Sequence, residues 1–157
     1  MSYTDRLLID TSSANTWLGA AKPYAKGRTS VNLYQRVVIP SGNSVMNGDV
    51  YSDTVIFDGN IRITEQSIGV ARAPNIPNVK GADGIMGLGP VALTQGTVTN
   101  QPMTTIPTVT QNLYTQGTIS QELFSLSFQP MGTNAITFGA LTFGAIDPRY
   151  TGAIGWT

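Results

Sequence analysis

Four consecutive residues are equipped for acid–base chemistry: Asp10, Thr11, Ser12 and Ser13, which follow the apolar run Leu7-Leu8-Ile9. A carboxylate that ends a hydrophobic strand loses part of its water, and nearby donors must then hold its charge. Short hydroxyl side chains in the following turn are suitable donors. The same residues also suit an ordinary Asx-turn that closes a strand. Elimination narrows the chemistry further. The chain has no cysteine and no histidine, which removes thiolate nucleophiles, Ser-His-Asp and Cys-His arrangements, and nearly all zinc sites. The acidic residues number 9, so a hydrolase built on this sequence would use carboxylates. No metal site and no cofactor are expected.

The surroundings of the tetrad carry a wider pattern. Leu8-Ile9-Asp10-Thr11-Ser12-Ser13-Ala14-Asn15-Thr16-Trp17 resembles the catalytic motif of the pepsin-like aspartic peptidases, in which an apolar strand enters Asp-Thr-Gly-Ser and a Trp follows. Tyr51-Ser52-Asp53-Thr54-Val55 resembles the strand after that family's flap, and Gln66-Ser67-Ile68-Gly69-Val70-Ala71 follows in order. Ala82-Asp83-Gly84-Ile85-Met86-Gly87-Leu88-Gly89-Pro90 resembles the apolar-apolar-Gly segment that crosses behind the catalytic turn. Ile106-Pro107-Thr108-Val109, Gln116-Gly117, Leu141-Thr142-Phe143-Gly144 and Tyr150-Thr151-Gly152 extend the match over nearly the whole chain. The likeness is strongest to the secreted, polyporopepsin-like fungal branch.

The resemblance implies an all-β fold, a single lobe of the pepsin-like kind with one or two short helices, spanning residues 1–157 as one domain. It implies Asp10 as the catalytic carboxylate. Thr11, Ser12, Ser13, Trp17 and Gly87 would support its turn, the hydroxyls of Thr11 and Ser13 would bond the carboxylate, and Trp17 would brace the flap. The flap tip maps onto Ser41, Gly42 and Asn43 as substrate-binding residues, and an extended peptide or protein is the implied substrate. It also implies a secreted protein.

Departures from the pattern set further expectations. Members of the family pair two carboxylates, the second from a homologous lobe, and no second Asp-Thr-Gly or Asp-Thr-Ser occurs here. Asp53-Thr54 is followed by Val55 in a flap strand, and Asp83 reads as structural. A second lobe, or a homodimer that pairs two Asp10 residues, would have to complete the site. Family members carry further N-terminal strands before the point where this chain starts. Ser12 stands where the family has glycine, which predicts a crowded turn. Ser41 stands where the flap carries its Tyr. The isolated lobe is therefore expected to be weak or inactive as an endopeptidase. The alternative is a non-catalytic module that binds peptide, protein or carbohydrate.

Composition agrees with a β-rich chain. There are 17 glycines and 9 prolines, and only 11% of residues are charged, with a net charge of zero. That balance offers no footprint for nucleic acid or an anionic membrane. No signal peptide is visible in Met1-Ser2-Tyr3-Thr4-Asp5-Arg6, and Leu7-Leu8-Ile9 is too short to span a bilayer.

Periodicity predicts the elements that must hold Asp10. Strands are expected over Leu7–Ile9, Val31–Ile39, Val50–Phe57, Ile61–Thr64, Phe124–Phe128, Ala135–Phe138 and Ala140–Phe143. Turns are expected over Pro40–Ser44 and at Asp58-Gly59. A helix is expected to open at Pro107, to share one face between Val109, Leu113 and Tyr114, and to stop at Gly117. A second helical turn is expected over Ser120–Leu123, and residues 90–107 read as a long polar loop. The glycines of 84–89 lack the lysine and spacing of a phosphate loop and read as structural.

Overall fold

The computed structural model describes residues 3–57, 61–74, 76–128, 139–147 and 149. Six strands form one sheet: β1 (Leu7–Asp10), β2 (Trp17–Leu18), β3 (Val31–Ser41), β4 (Ser44–Phe57), β5 (Ile61–Ala71) and β6 (Gly84–Gly87), in the order β1-β6-β2-β5-β4-β3. β3, β4 and β5 form an antiparallel meander, whereas β1 pairs in parallel with β6, and β2 with β5. A two-stranded ribbon, β7 (Phe124–Phe128) with β8 (Gly139–Phe143), lies apart from it.

β6 explains how the sheet is held. All four of its residues are buried, and alternate side chains of a strand face opposite ways. Ile85 joins the core around Trp17, with Val37, Ile39, Met46 and Val50. Met86, one position on, joins a second core of Ile63, Leu88, Val109, Leu113 and Phe143. The glycines at its ends allow this crowding. A Cβ on Gly84 would stand 1.9 Å from the Trp17 carbonyl oxygen.

The one α-helix among the described residues, α1 (Val109–Thr115), starts later than Pro107. Thr108 is the N-cap, and its side chain accepts the Gln111 amide; Pro107 thus precedes the cap, because Thr108 supplies an acceptor that proline lacks. Val109 and Leu113 are buried as expected, but Tyr114 is 45% exposed and faces away from that core. Gly117 follows the C-cap in a left-handed conformation, φ 72°. Gln116 ties the helix to β5 by accepting the Thr64 amide at 2.9 Å and donating to the Thr64 carbonyl at 2.8 Å.

Two other expectations change. Residues 120–122 form bends, and no helical turn covers Ser120–Leu123. The 90–107 stretch is organised: it contains a 3-10 turn over Val91–Thr94 and a bridge from Val98 to Val37 of β3. Fully buried Thr94 donates to the Val91 carbonyl and accepts the Ile106 amide, giving this polar stretch its internal partners. Phe128, at the end of β7, is 73% exposed. The expected turn at Asp58-Gly59, the strand over Ala135–Phe138 and the Tyr150-Thr151-Gly152 match lie outside the described residues.

Candidate active site

β1 delivers Asp10 to the end of its ladder with β6, where Asp10 pairs with Gly87. The crossing segment then pins the turn. The Leu88 amide donates to the Asp10 carbonyl at 2.8 Å, and the Gly89 amide donates to the Ser13 carbonyl at 2.8 Å. This contact needs Gly87, because a Cβ there would lie 2.5 Å from the Ala14 carbonyl carbon. Asn15, buried behind the turn, donates to Thr97 at 3.2 Å, and Thr97 donates to the Thr94 carbonyl. The organised 90–107 stretch thus backs the turn.

The Asp10 carboxylate accepts three geometrically clear bonds. Its Oδ1 takes the Ser12 amide at 2.8 Å and the Ser12 hydroxyl at 2.6 Å, and its Oδ2 takes the Ser13 hydroxyl at 2.7 Å. Partial burial pushes its pKa up, but the hydroxyls and backbone amides of Ser12 and Ser13 outweigh that and hold it below the ordinary carboxylate value. Thr11 was expected to supply one of these hydroxyls. It is exposed and makes no hydrogen bond among the described residues, and Ser12 takes its place. Nor does Ser12 strain the turn: its backbone stays outside the left-handed region, and its side chain points to the carboxylate.

Trp17, 1% exposed, shares its core with Ile39 of β3 and Met46 of β4. It therefore supports the β3–β4 hairpin from below. Ser41 ends β3, Gly42 turns with φ 57°, and Asn43 completes the tip. The structure brings Asp10, Ser12, Ser13 and Gly87 into one cluster. Ser41, Gly42 and Asn43 connect to it through the Trp17 core, with no hydrogen bond between tip and turn among the described residues.

The other described aspartates are committed elsewhere. Asp5 pairs with Lys22, and Asp49 with Arg36 and Arg72. Asp53 accepts the hydroxyls of Tyr24, Thr29 and Ser30. Asp83, 5% exposed, accepts the Arg6 amide at 2.7 Å and faces Lys22, which accords with a structural role at the start of the β1–β6 ladder. Asp147 pairs with Arg149. Among the described residues no group of three or more acidic side chains could hold a metal.

A separate cavity of about 620 Å³ opens beside β1, the last strand of the sheet among the described residues, lined by Leu7, Ile9, Val55, Phe57, Met86 and Leu141 among others. Asp10 does not line it.

The apolar strand, the hydroxyl-held aspartate and the glycine crossing behind it occur together in a known family. The profile described as eukaryotic aspartyl protease matches residues 3–157. The chain belongs to this family. As an aspartyl protease lobe it is 47% identical to polyporopepsin of Irpex lacteus over 155 residues, which cover 98% of the chain and 45% of that protein. The crystal structure of the aspartic proteinase from Irpex lacteus superposes with a TM-score of 0.88 at 47% identity, covering 96% of this chain and 44% of that one. The lobe thus spans less than half the length of either relative. All-β architecture of the pepsin-like kind is established by this match.

Two contacts that hold the Asp10 turn were not anticipated. Ser12 was expected to support the turn, but the bond from its hydroxyl to Asp10 was expected from Thr11, and two adjacent hydroxyl residues give no local signal to choose between them. The Asn15–Thr97 bond spans 82 positions and had no local signal.

Proposed function

We propose that this chain is one half of an aspartic endopeptidase site, with Asp10 as the carboxylate that acts on a water molecule. The reading is supported above all by the Asp10 carboxylate, held as an anion by Ser12 and Ser13 on a turn buttressed by Gly87. Two like carboxylates at close range cannot both stay ionised, so the partner would carry the proton and polarise the scissile carbonyl while the ionised one takes a proton from water. The partner comes from a second lobe or from a second copy of this chain, since the other described aspartates are engaged elsewhere. Ser41, Gly42 and Asn43 close over an extended peptide, with Trp17 bracing their hairpin. Extracellular action fits the fungal branch, and among the described residues no helix is long and apolar enough to cross a membrane.

Peptide cleavage by the purified chain between pH 3 and pH 6 tests this reading, with Asp10→Asn as the control. The expected result is weak turnover that rises with the square of chain concentration and disappears in the variant. Cleavage that persists in Asp10→Asn overturns the assignment.

A second reading has one observation in its favour. The 620 Å³ cavity is distinct from Asp10 and largely apolar in its lining, which suits a non-catalytic module binding peptide, protein or carbohydrate. Absence of cleavage at every concentration would favour it.

A further inference from the structure

We propose that Ser12 is a positioning residue for Asp10, its hydroxyl locking Oδ1 so that this carboxylate remains the ionised member of the pair. The inference rests on the reading of Asp10 as the working carboxylate. Glycine, which the family pattern places at this position, offers only its amide. Serine offers both amide and hydroxyl to the same oxygen, at 2.8 and 2.6 Å. With the Ser13 hydroxyl on Oδ2, both carboxylate oxygens accept bonds from the turn itself.

Geometry gives this a direction. Hydrogen bonds to an ionised acceptor are shorter and stronger than neutral ones. A backbone amide cannot reverse, so a protonated Asp10 would have to turn its O–H away from the Ser12 amide and displace or reverse a hydroxyl donor. Among the described residues, no charged side chain faces Asp10 to compensate. β6, which pairs with β1, contributes Gly84, Ile85, Met86 and Gly87, none of which titrates. The acid that precedes it, Asp83, belongs to the opposite end of the ladder and is engaged by Arg6 and Lys22. Ser12 is also exposed, so its side chain can be changed without opening a core.

The experiment is a carboxyl-carbon NMR titration of Asp10 in the full chain, without substrate, for wild type and for Ser12→Ala, Ser12→Gly and Ser12→Thr. The Asp10 midpoint is expected to rise in Ser12→Ala and Ser12→Gly and to stay near wild type in Ser12→Thr, which keeps the hydroxyl. An unchanged midpoint in Ser12→Ala overturns the proposal. So does an equal rise in Ser12→Ala and Ser12→Thr, which would trace the effect to the backbone. Because no turnover is read, a chain that cleaves nothing leaves this test intact: loss of the peptidase reading and loss of the Ser12 role register in different measurements.

Discussion

At Gly87 an added Cβ would lie 2.5 Å from the Ala14 carbonyl carbon and 2.7 Å from the Asn15 nitrogen, and both are backbone atoms that cannot rotate aside. Gly87→Ala is therefore expected to destabilise the chain by about 3 kcal/mol. At Gly27 the nearest atom to an added Cβ is the Ser30 hydroxyl at 3.8 Å, so Gly27→Ala should stay within about 0.5 kcal/mol. Urea unfolding of the two variants checks the contrast; equal midpoints would mean that the turn can retreat from β6. Asp10 and Ser13 were legible in the sequence because each depends on something local, a strand end and a turn donor, whereas Gly87, which meets Ala14 and Asn15 across the chain, was expected only from the resemblance. The choice between Thr11 and Ser12 was not legible. Both carry hydroxyls, and only the path of the backbone decides which one meets Asp10. The crowding expected at Ser12 failed for the same reason, since that backbone never enters the region that glycine alone favours.

Among the elements, the meander β3–β4–β5 and the strand β8 were readable from alternation and turn residues, and α1 from its buried pair Val109 and Leu113 with Gly117 behind them. The helix start was not, because Pro107 and Thr108 both suit a first turn and the capping bond decides between them. Thr108→Ala removes the acceptor for the Gln111 amide and should cost about 1 kcal/mol, read as a lower urea midpoint with α1 otherwise intact. A wild-type midpoint would show that the Gln116 and Asn112 side-chain bonds to β5 fix the helix without its cap. The 90–107 stretch looked structureless because part of its order comes from distant partners, the Val98 bridge to Val37 and the Thr97 bond from Asn15, and the rest from side-chain bonds of Thr94 within an aperiodic polar run. No local pattern carries such pairings.

For the molecule as a whole, Asp10, Asp53, Asp83 and Asp147 all have pKa values held below the ordinary carboxylate value. For Asp10 and Asp53, burial acts upward and is outweighed by hydroxyl and amide donors; for Asp83 the Arg6 amide leads, and for Asp147 the Arg149 side chain. Each group binds fewer protons folded than unfolded, so stability rises with pH through this range. The contribution is fully present above the unfolded carboxylate pKa of about 4 and is lost as pH falls toward the folded values. The urea midpoint should therefore be lower at pH 3 than at pH 6, and equal midpoints would mean that the unfolded chain holds these carboxylates just as well. The pairing of β1 with β6 has a consequence in time as well as in space. Leu7 meets Gly84 and Asp10 meets Gly87, whereas β3, β4 and β5 pair with strands that follow one another closely along the chain. Closing a longer loop costs more entropy, by about 0.6 kcal/mol per doubling, and non-local pairing slows folding. Amides of the meander should thus gain protection in pulse-labelled hydrogen exchange before those of residues 7–10, and simultaneous protection would refute this order. The aspartate would thus be present in the chain long before the geometry around it, which arrives only when β6 joins β1.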